Sequence, residues 1–248
     1  MSYRSPFLPR EARAVLAAYP AMPTERQQLI GDFIRALRET SFWTRVGAFY
    51  VLAAPTEAAA LVNWKLPGTF DLVRTGTVTH SPDRSMKGDG ATGMLDAVGY
   101  VPTQLSLNSA MIGCYTREAA SYSGSTSRID VYTGTGRLQR RSDVANYYTA
   151  RVNDTTSLQP VTPAQTGHFM AQRTAADAKA LYRDGVLLSA DASPATGIAN
   201  RFTLFSTGAG NWSDAALSLA YAGAAIPADE VEQVNFIITQ YLRVIGAA

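Results

Sequence analysis

The sequence predicts a mainly β fold, one sandwich or barrel preceded and closed by helices. Three observations carry this. Between Asn63 and about Ala225, short apolar runs alternate with clusters of Gly, Pro, Ser, Asn and Asp at intervals of roughly 8–12 residues, the rhythm of an all-β domain. Asp184-Gly185 separates two apolar runs, and a two-residue type I′ turn selects such a pair because both central residues take positive φ. Helical periodicity is confined to the stretches before Asn63 and after Pro227.

In chain order, Arg10 to Tyr19 is Ala-rich and helix-compatible, and Pro20 and Pro23 close it. Thr24-Glu25-Arg26-Gln27 has the form of a capping box, and Leu29, Ile30, Phe33, Ile34 and Leu37 follow at helical spacing. A helix is therefore expected over residues 25–40. Ala48 to Leu52 reads as a buried strand. Thr56 is a candidate N-cap for a short helix reaching Val62, with Glu57 at the positive end of its dipole. Inside the β region, Ile129, Val131 and Thr133 alternate with Asp130 and Tyr132. Phe202 and Leu204 alternate with Thr203 and Phe205, and Leu217, Leu219 and Tyr221 with small residues. Lys179 to Leu188 is a hairpin about Asp184-Gly185. In the closing helix Pro227 pre-sets the first turn, and Asp229, Glu230 and Glu232 complement the dipole. Val231, Val234, Ile238, Tyr241 and Ile245 make one apolar stripe, and Gly246 is placed to cap it. The expected partner of that stripe is the protein's own sandwich.

Composition bounds the function. The chain has 248 residues, 46% hydrophobic, with a net charge of +2, which excludes global disorder and allows a full core. No apolar window approaches about 18 residues, and no basic and apolar leader opens the chain. The single Cys114 fits synthesis in a reducing cytosol. Basic residues are scattered and almost all Arg; the local cluster Arg137, Arg140 and Arg141 is no stripe, so neither nucleic acid nor membrane insertion is expected.

The catalytic inventory is thin. Gly88-Asp89-Gly90-Ala91-Thr92-Gly93 matches G-x-G-x-x-G formally but lacks the following helix that would hold a phosphate, and reads as a turn between strands. His80 and His168 are the only histidines, neither with a second His or Cys at ligand spacing. No G-x-S-x-G elbow and no E-x-D-x-x-E strand are present. Cys114 lies in the apolar run Ala110 to Tyr115 and is expected to be an inert, buried thiol. Asp83, Asp89 and Asp96 are expected in turn hydrogen bonds rather than around calcium. No catalytic residue, metal or cofactor is expected. What remains is aromatic surface for stacking on sugars, drawn from Trp43, Trp64, Trp212, Tyr115, Tyr122, Tyr132, Tyr147 and Tyr148. Trp212, in the loop Gly208 to Ser213, and the pair Tyr147 and Tyr148 are the candidate ligand residues.

In their order, several pieces resemble the concanavalin A-like (LamG-type) jelly-roll domains of tailed-phage virion proteins. They are Ala48 to Ala53, Ala59 to Lys65, Pro82-Asp83-Arg84 with Gly88 to Thr92, Leu181 to Gly185, and Ala220 to Gly223 leading through Ile226 to Val231 into Asn235 to Leu242. The resemblance implies an antiparallel jelly-roll β-sandwich over residues 46–248. It implies a non-enzymatic role on a phage or gene-transfer-agent particle assembled in the bacterial cytoplasm, as capsid decoration, head spike or tail component. The implied partners are other virion proteins, further copies of the chain in a homo-oligomer, and host surface polysaccharide. Residues 1–45 fall outside it and are expected to form a helical docking segment. The alternatives on the same fold are a free polysaccharide-binding lectin module and a polysaccharide-degrading enzyme.

Overall fold

The computed structural model describes residues 8–100, 106–121, 128–140, 147–162, 165–198 and 200–248, so Tyr122 and Arg141 lie outside the described residues. The helices are α1 (Arg10–Ala17), α2 (Thr24–Arg38), α3 (Phe42–Arg45), α4 (Glu57–Ala60) and α5 (Val231–Val244), the last entered through one 3-10 turn, Ala228–Glu230. The strands are β1 (Val46–Val51), β2 (Val73–Thr75), β3 (Val78–Ser81), β4 (Ser85–Gly88), β5 (Met94–Asp96), β6 (Ala110–Glu118) and β7 (Arg128–Tyr132). They continue as β8 (Arg137–Arg140), β9 (Tyr148–Arg151), β10 (Gly167–Ala175), β11 (Ala178–Arg183), β12 (Val186–Asp191), β13 (Thr203–Leu204) and β14 (Ala216–Gly223).

The strands form the antiparallel sandwich that the sequence predicts. One sheet runs β12-β11-β10-β6-β14-β4-β3, with β1 also paired to β14, and the other runs β2-β5-β13-β7-β8-β9. Neighbours distant in sequence, such as β6 between β10 and β14, are the long returns of a jelly roll. The hairpin of β11 and β12 turns at Asp184 and Gly185, whose φ angles of 50° and 83° are those of a type I′ turn.

Successive residues of a strand point to opposite faces, and both faces of the first sheet are covered. On the inner face, Phe169 of β10 stacks on Tyr148 of β9 across the sandwich at 3.8 Å, and Tyr50 of β1 stacks on Phe202 at 5.5 Å. On the outer face, Phe49 and Tyr221 lie beneath the helices, Phe42 meeting Tyr221 edge-on at 5.0 Å. Tyr221 crosses β6 at Gly113, where a Cβ would come within 2.3 Å of the phenol oxygen, so only glycine leaves room. Double coverage explains why all eight residues of β14 are buried, where alternation alone predicts one buried face.

The helical layer shares this core. Phe33 of α2 stacks on Tyr241 of α5 at 4.2 Å and meets Phe49 and the edge of Trp64 at 6.0 and 6.1 Å. Trp64 Nε1 donates to the Tyr19 hydroxyl at 2.8 Å. The helices before residue 45 therefore share one hydrophobic core with the sandwich, and the apolar face of α2 packs into it. The capping box is also corrected. Helix α2 starts at Thr24 itself, after Pro23 with ψ of 149°; no side chain caps it, and Gln27 Nε2 donates to the Met22 carbonyl instead. Thr56 does cap α4, accepting from the Ala59 amide.

Two buried titratable groups flank the first sheet, Asp130 of β7 on the side of the second sheet and His168 of β10 on the side of α5. Asp130, the polar member of an alternating run, is buried; its oxygens accept from Ser213 Oγ at 2.8 Å and the Tyr148 hydroxyl at 3.0 Å. Burial pushes its carboxyl up to about 6. His168 lies between Asn235 Oδ1 at 3.1 Å and the Tyr221 hydroxyl at 2.9 Å, and burial pushes its imidazole down to about 4. A neutral ring that donates from Nδ1 and accepts at Nε2 satisfies both contacts.

Folding consequences follow from both features. Phe33→Ala is expected to cost about 3–5 kcal/mol, read from the urea midpoint, because it opens the junction of α2, α5 and β1. Removal of residues 1–45 is expected to abolish cooperative unfolding of the remainder, since Phe49, Trp64 and Tyr241 would face water; a cooperative truncated sandwich would restore the boundary. Between about pH 4 and 6 the folded state holds a proton on Asp130 that the unfolded chain releases, so this group's contribution falls as pH rises. His168 has the opposite sign: below about 6.5 the unfolded chain takes a proton that the fold refuses until about 4, so stability is lost as pH falls. Asp130→Asn removes one half of this balance. The variant is expected to lose about 1–3 kcal/mol more than the parent between pH 6.5 and 4.5 in urea titrations. Parallel pH profiles would contradict it.

Candidate functional site

A cavity of about 620 Å³ forms a groove between α5 and the outer face of the first sheet. Helical geometry places Asn235, Thr239 and Arg243 in one row, each four residues from the next, beside the buried stripe of Val234, Ile238 and Tyr241. Strand β6 contributes Tyr115 and Arg117, two residues apart and so on one face. The β11–β12 turn contributes Arg183 and Asp184.

The floor is held by hydrogen bonds. Asn235 Oδ1 faces His168 and also accepts from Thr239 Oγ1 at 3.3 Å. Asp184 Oδ1 accepts from the His168 amide at 2.9 Å. Gly167, at φ 109°, leaves the space that this carboxylate occupies; a Cβ there would lie 2.5 Å from Oδ1. Arg183 is committed to the frame, donating to the Thr166 carbonyl at 3.2 Å and Thr162 Oγ1 at 3.3 Å, with the Asp184 carboxylate 3.3 Å away.

The remaining cations are less occupied. Arg117 meets Glu118 at 3.3 Å in an exposed pair, and its Nε is buried without a hydrogen-bond partner among the described residues. Glu118 is drawn mainly to Lys87 at 2.8 Å, which holds its carboxyl below the ordinary range. Arg243 is exposed and makes no ion pair among the described residues. The Tyr115 phenol is raised by burial and by Asp184 and lowered by Arg243. Three guanidinium groups and one side-chain carboxylate line it, so the groove suits a hydroxylated or anionic ligand and not an apolar one.

A second cavity, about 310 Å³, opens among the loops beside β7 and β8 and is lined by Tyr132, Arg137, Arg151 and Asp154. Its acidic residue is structural: Asp154 Oδ2 receives Arg173 at 2.8 Å, Lys179 at 2.5 Å and Ser193 Oγ at 2.9 Å, all within the core.

The expected ligand aromatics do not converge. Tyr148 is corrected outright, because its ring is sandwiched on Phe169 and its hydroxyl is spent on Asp130, leaving no face for a sugar. Tyr147 is half-buried and bridges to Val161. Trp212 is half-buried in its loop, where its carbonyl accepts from Arg128 at 2.9 Å, and it stands apart from both cavities. Trp43 and Trp64 are core residues. Tyr115 lines the groove.

Of the three loop aspartates Asp89 makes the expected turn hydrogen bonds, whereas Asp83 and Asp96, the latter at a strand end, make ion pairs across the fold. Asp89 accepts from the amides of Ala91, Thr92 and Gly93 and from the Thr92 hydroxyl, bonds that outweigh burial and hold its carboxyl well below the usual range. Asp83 and Asp96 pair with Arg26 and Arg201 at 2.7 and 3.4 Å. Burial pushes the Cys114 thiol up to about 12, so it is protonated and inert at neutral pH. Sequence reasoning missed Arg117, Arg183, Asn235, Thr239 and Arg243. The one available signal was the polar row of α5 running beside its apolar stripe.

No protein-family model and no curated protein matches the chain. Its fold is similar to solved structures. One is of botulinum neurotoxin type C, in a study that ties cell uptake to interaction with two ganglioside molecules: TM-score 0.56, 12% identity, covering 81% of this chain and 52% of that one. Another is the binding domain of botulinum neurotoxin serotype D: TM-score 0.58, 9% identity, covering 83% and 52%. A third is the Trypanosoma rangeli sialidase: TM-score 0.55, 10% identity, covering 90% and 41%. The chain thus spans about half or less of the length of these structures, and the likeness establishes the β-sandwich fold.

Proposed function

We propose that this protein is a non-catalytic, glycan-binding β-sandwich that acts as an adhesive component of a phage-like particle. The groove between α5 and the sheet carries the reading: a large polar cleft with hydroxyl, amide and guanidinium donors converging on it. The fold is shared with a toxin whose study describes ganglioside interaction and with a sialidase, which supports carbohydrate as the ligand class. The particle setting rests on the ordered resemblance to virion jelly rolls. The non-catalytic reading is supported by the state of the reactive groups, since His168, Cys114 and Asp130 are all sealed in the core.

Titration of the purified protein with polysaccharide from the host surface is expected to give saturable binding without release of reducing ends. Thr239→Trp, which fills the groove from α5, is expected to abolish that binding while the variant still unfolds cooperatively in urea. Trp212→Ala is expected to leave binding intact; loss in Trp212→Ala alone would move the site to the 208–213 loop. Mass spectrometry of intact particles, heads and tails from a producer culture is expected to find the protein in a particle fraction. Its absence from all of them would leave a free lectin, and release of reducing ends would make it an enzyme.

A further inference from the structure

We infer that the groove selects carboxylate-bearing sugars, with Arg117 and Arg243 as the guanidinium groups that receive the carboxylate. This deepens the glycan-binding reading and rests on it. The charge balance of the lining side chains is the first argument, three guanidinium groups against the one side-chain carboxylate, that of Asp184, with Ala248 also in the lining. The second is how these groups are committed. Arg183 is tied to the frame through Thr166 and Thr162 and serves as wall. Arg117 keeps a buried Nε with no partner among the described residues, and its contact with Glu118 is a long, solvent-exposed one at 3.3 Å. That Nε is enclosed, so a ligand oxygen meets the solvent-facing part of the Arg117 side chain, which is 31% exposed. Arg243 stands on the last turn of α5 without an ion pair among the described residues. A planar guanidinium matches a carboxylate with two parallel hydrogen bonds, which gives such groups their preference for this anion.

The rest of the lining suits a sugar ring rather than a bare anion. Tyr115 lines the groove together with Arg243 and Asp184, and the Asp184 carboxylate accepts from hydroxyl groups while repelling a second negative charge. Thr239 adds a hydroxyl to the same wall. A ligand with one carboxylate and several hydroxyls meets each of these groups, whereas a polyanion is opposed by Asp184.

The test uses the full chain and matched probes: trigalacturonate against neutral galactotriose, and sialyllactose against lactose, by calorimetry. At least one acidic probe is expected to bind tenfold or more tightly than its neutral partner, and to weaken severalfold as salt rises from about 50 to 300 mM. Arg117→Gln and Arg243→Gln are each expected to reduce acidic binding about tenfold or more with less than a twofold change for the neutral partner. Asp184→Asn, which suits the same turn, is expected to strengthen acidic binding severalfold, a gain that a purely structural role for Asp184 would not produce. Arg137→Gln, in the other cavity, is expected to change nothing. Equal affinity for acidic and neutral probes overturns the inference and keeps the glycan reading. No binding to any carbohydrate overturns both. Equal binding of inorganic phosphate or a DNA oligonucleotide reduces the groove to a general anion site and also overturns it.

Discussion

Burial of both faces of the first sheet is the constraint on which the rest of the structure depends. Strand β14 runs through the middle of that sheet with every residue buried, so the outer face cannot be left to water. Tyr221 shows how the cover is attached. Its ring lies across Gly113, its hydroxyl reaches His168, and His168 in turn reaches Asn235 on α5. This chain of contacts sets the angle of the closing helix. The stack of Phe33 on Tyr241 then seats α2 against α5, so the N-terminal helices are part of the sandwich's cover and not an appendage. The groove follows from the same geometry. It lies along the row Asn235, Thr239 and Arg243 of α5, bounded by β6 and by the β11–β12 turn.

A second fixed point lies at the other end of β10. Arg173 and Lys179, both fully buried, converge on one oxygen of Asp154 and donate further to the carbonyls of Val152, Ala176, Ser193 and Thr156. Buried ion pairs add little net stability once desolvation is counted, but removing one partner strands the others and is strongly destabilising. Their effect here is to tie the segments around Asn153 and Ser193 to the hairpin of β10 and β11. That hairpin carries the Asp184 turn at its far end, so the strands that support one wall of the groove are held at both ends.

What could be read from the sequence was whatever depends on neighbours along the chain. Asp184-Gly185, the Thr56 cap and the stripe of α5 each need only a few adjacent residues, and each forms as expected. The capping box at Thr24 also looked local, yet Pro23 had already set the chain direction and moved the helix start by one residue. Depth was not legible. Tyr147 and Tyr148 are adjacent and chemically identical, but strand alternation sends Tyr148 into the core and leaves its neighbour half-exposed. The groove was least legible of all. Its residues come from four separate stretches that meet only because β6, β10 and β11 are neighbours in the sheet and α5 lies over them, an order no local pattern encodes.

Aromatic platforms and a polar groove are two ways of holding a sugar. Stacking needs an exposed ring, and this protein spends most of its aromatic rings on the double burial of its first sheet: Trp64, Phe33, Tyr241, Tyr221 and Tyr148 all lie inside. A fold that consumes its aromatics in this way has polar donors left at the cleft where its cover ends. The arginines there are held by a strand, a tight turn and a helix, elements that lose little freedom when a ligand arrives, so their long side chains carry most of the ordering cost. Recognition built on such groups is directional and charge-dependent. Discrimination among sugars would then come from the pattern of carboxylate and hydroxyl groups and not from the apolar face of the ring.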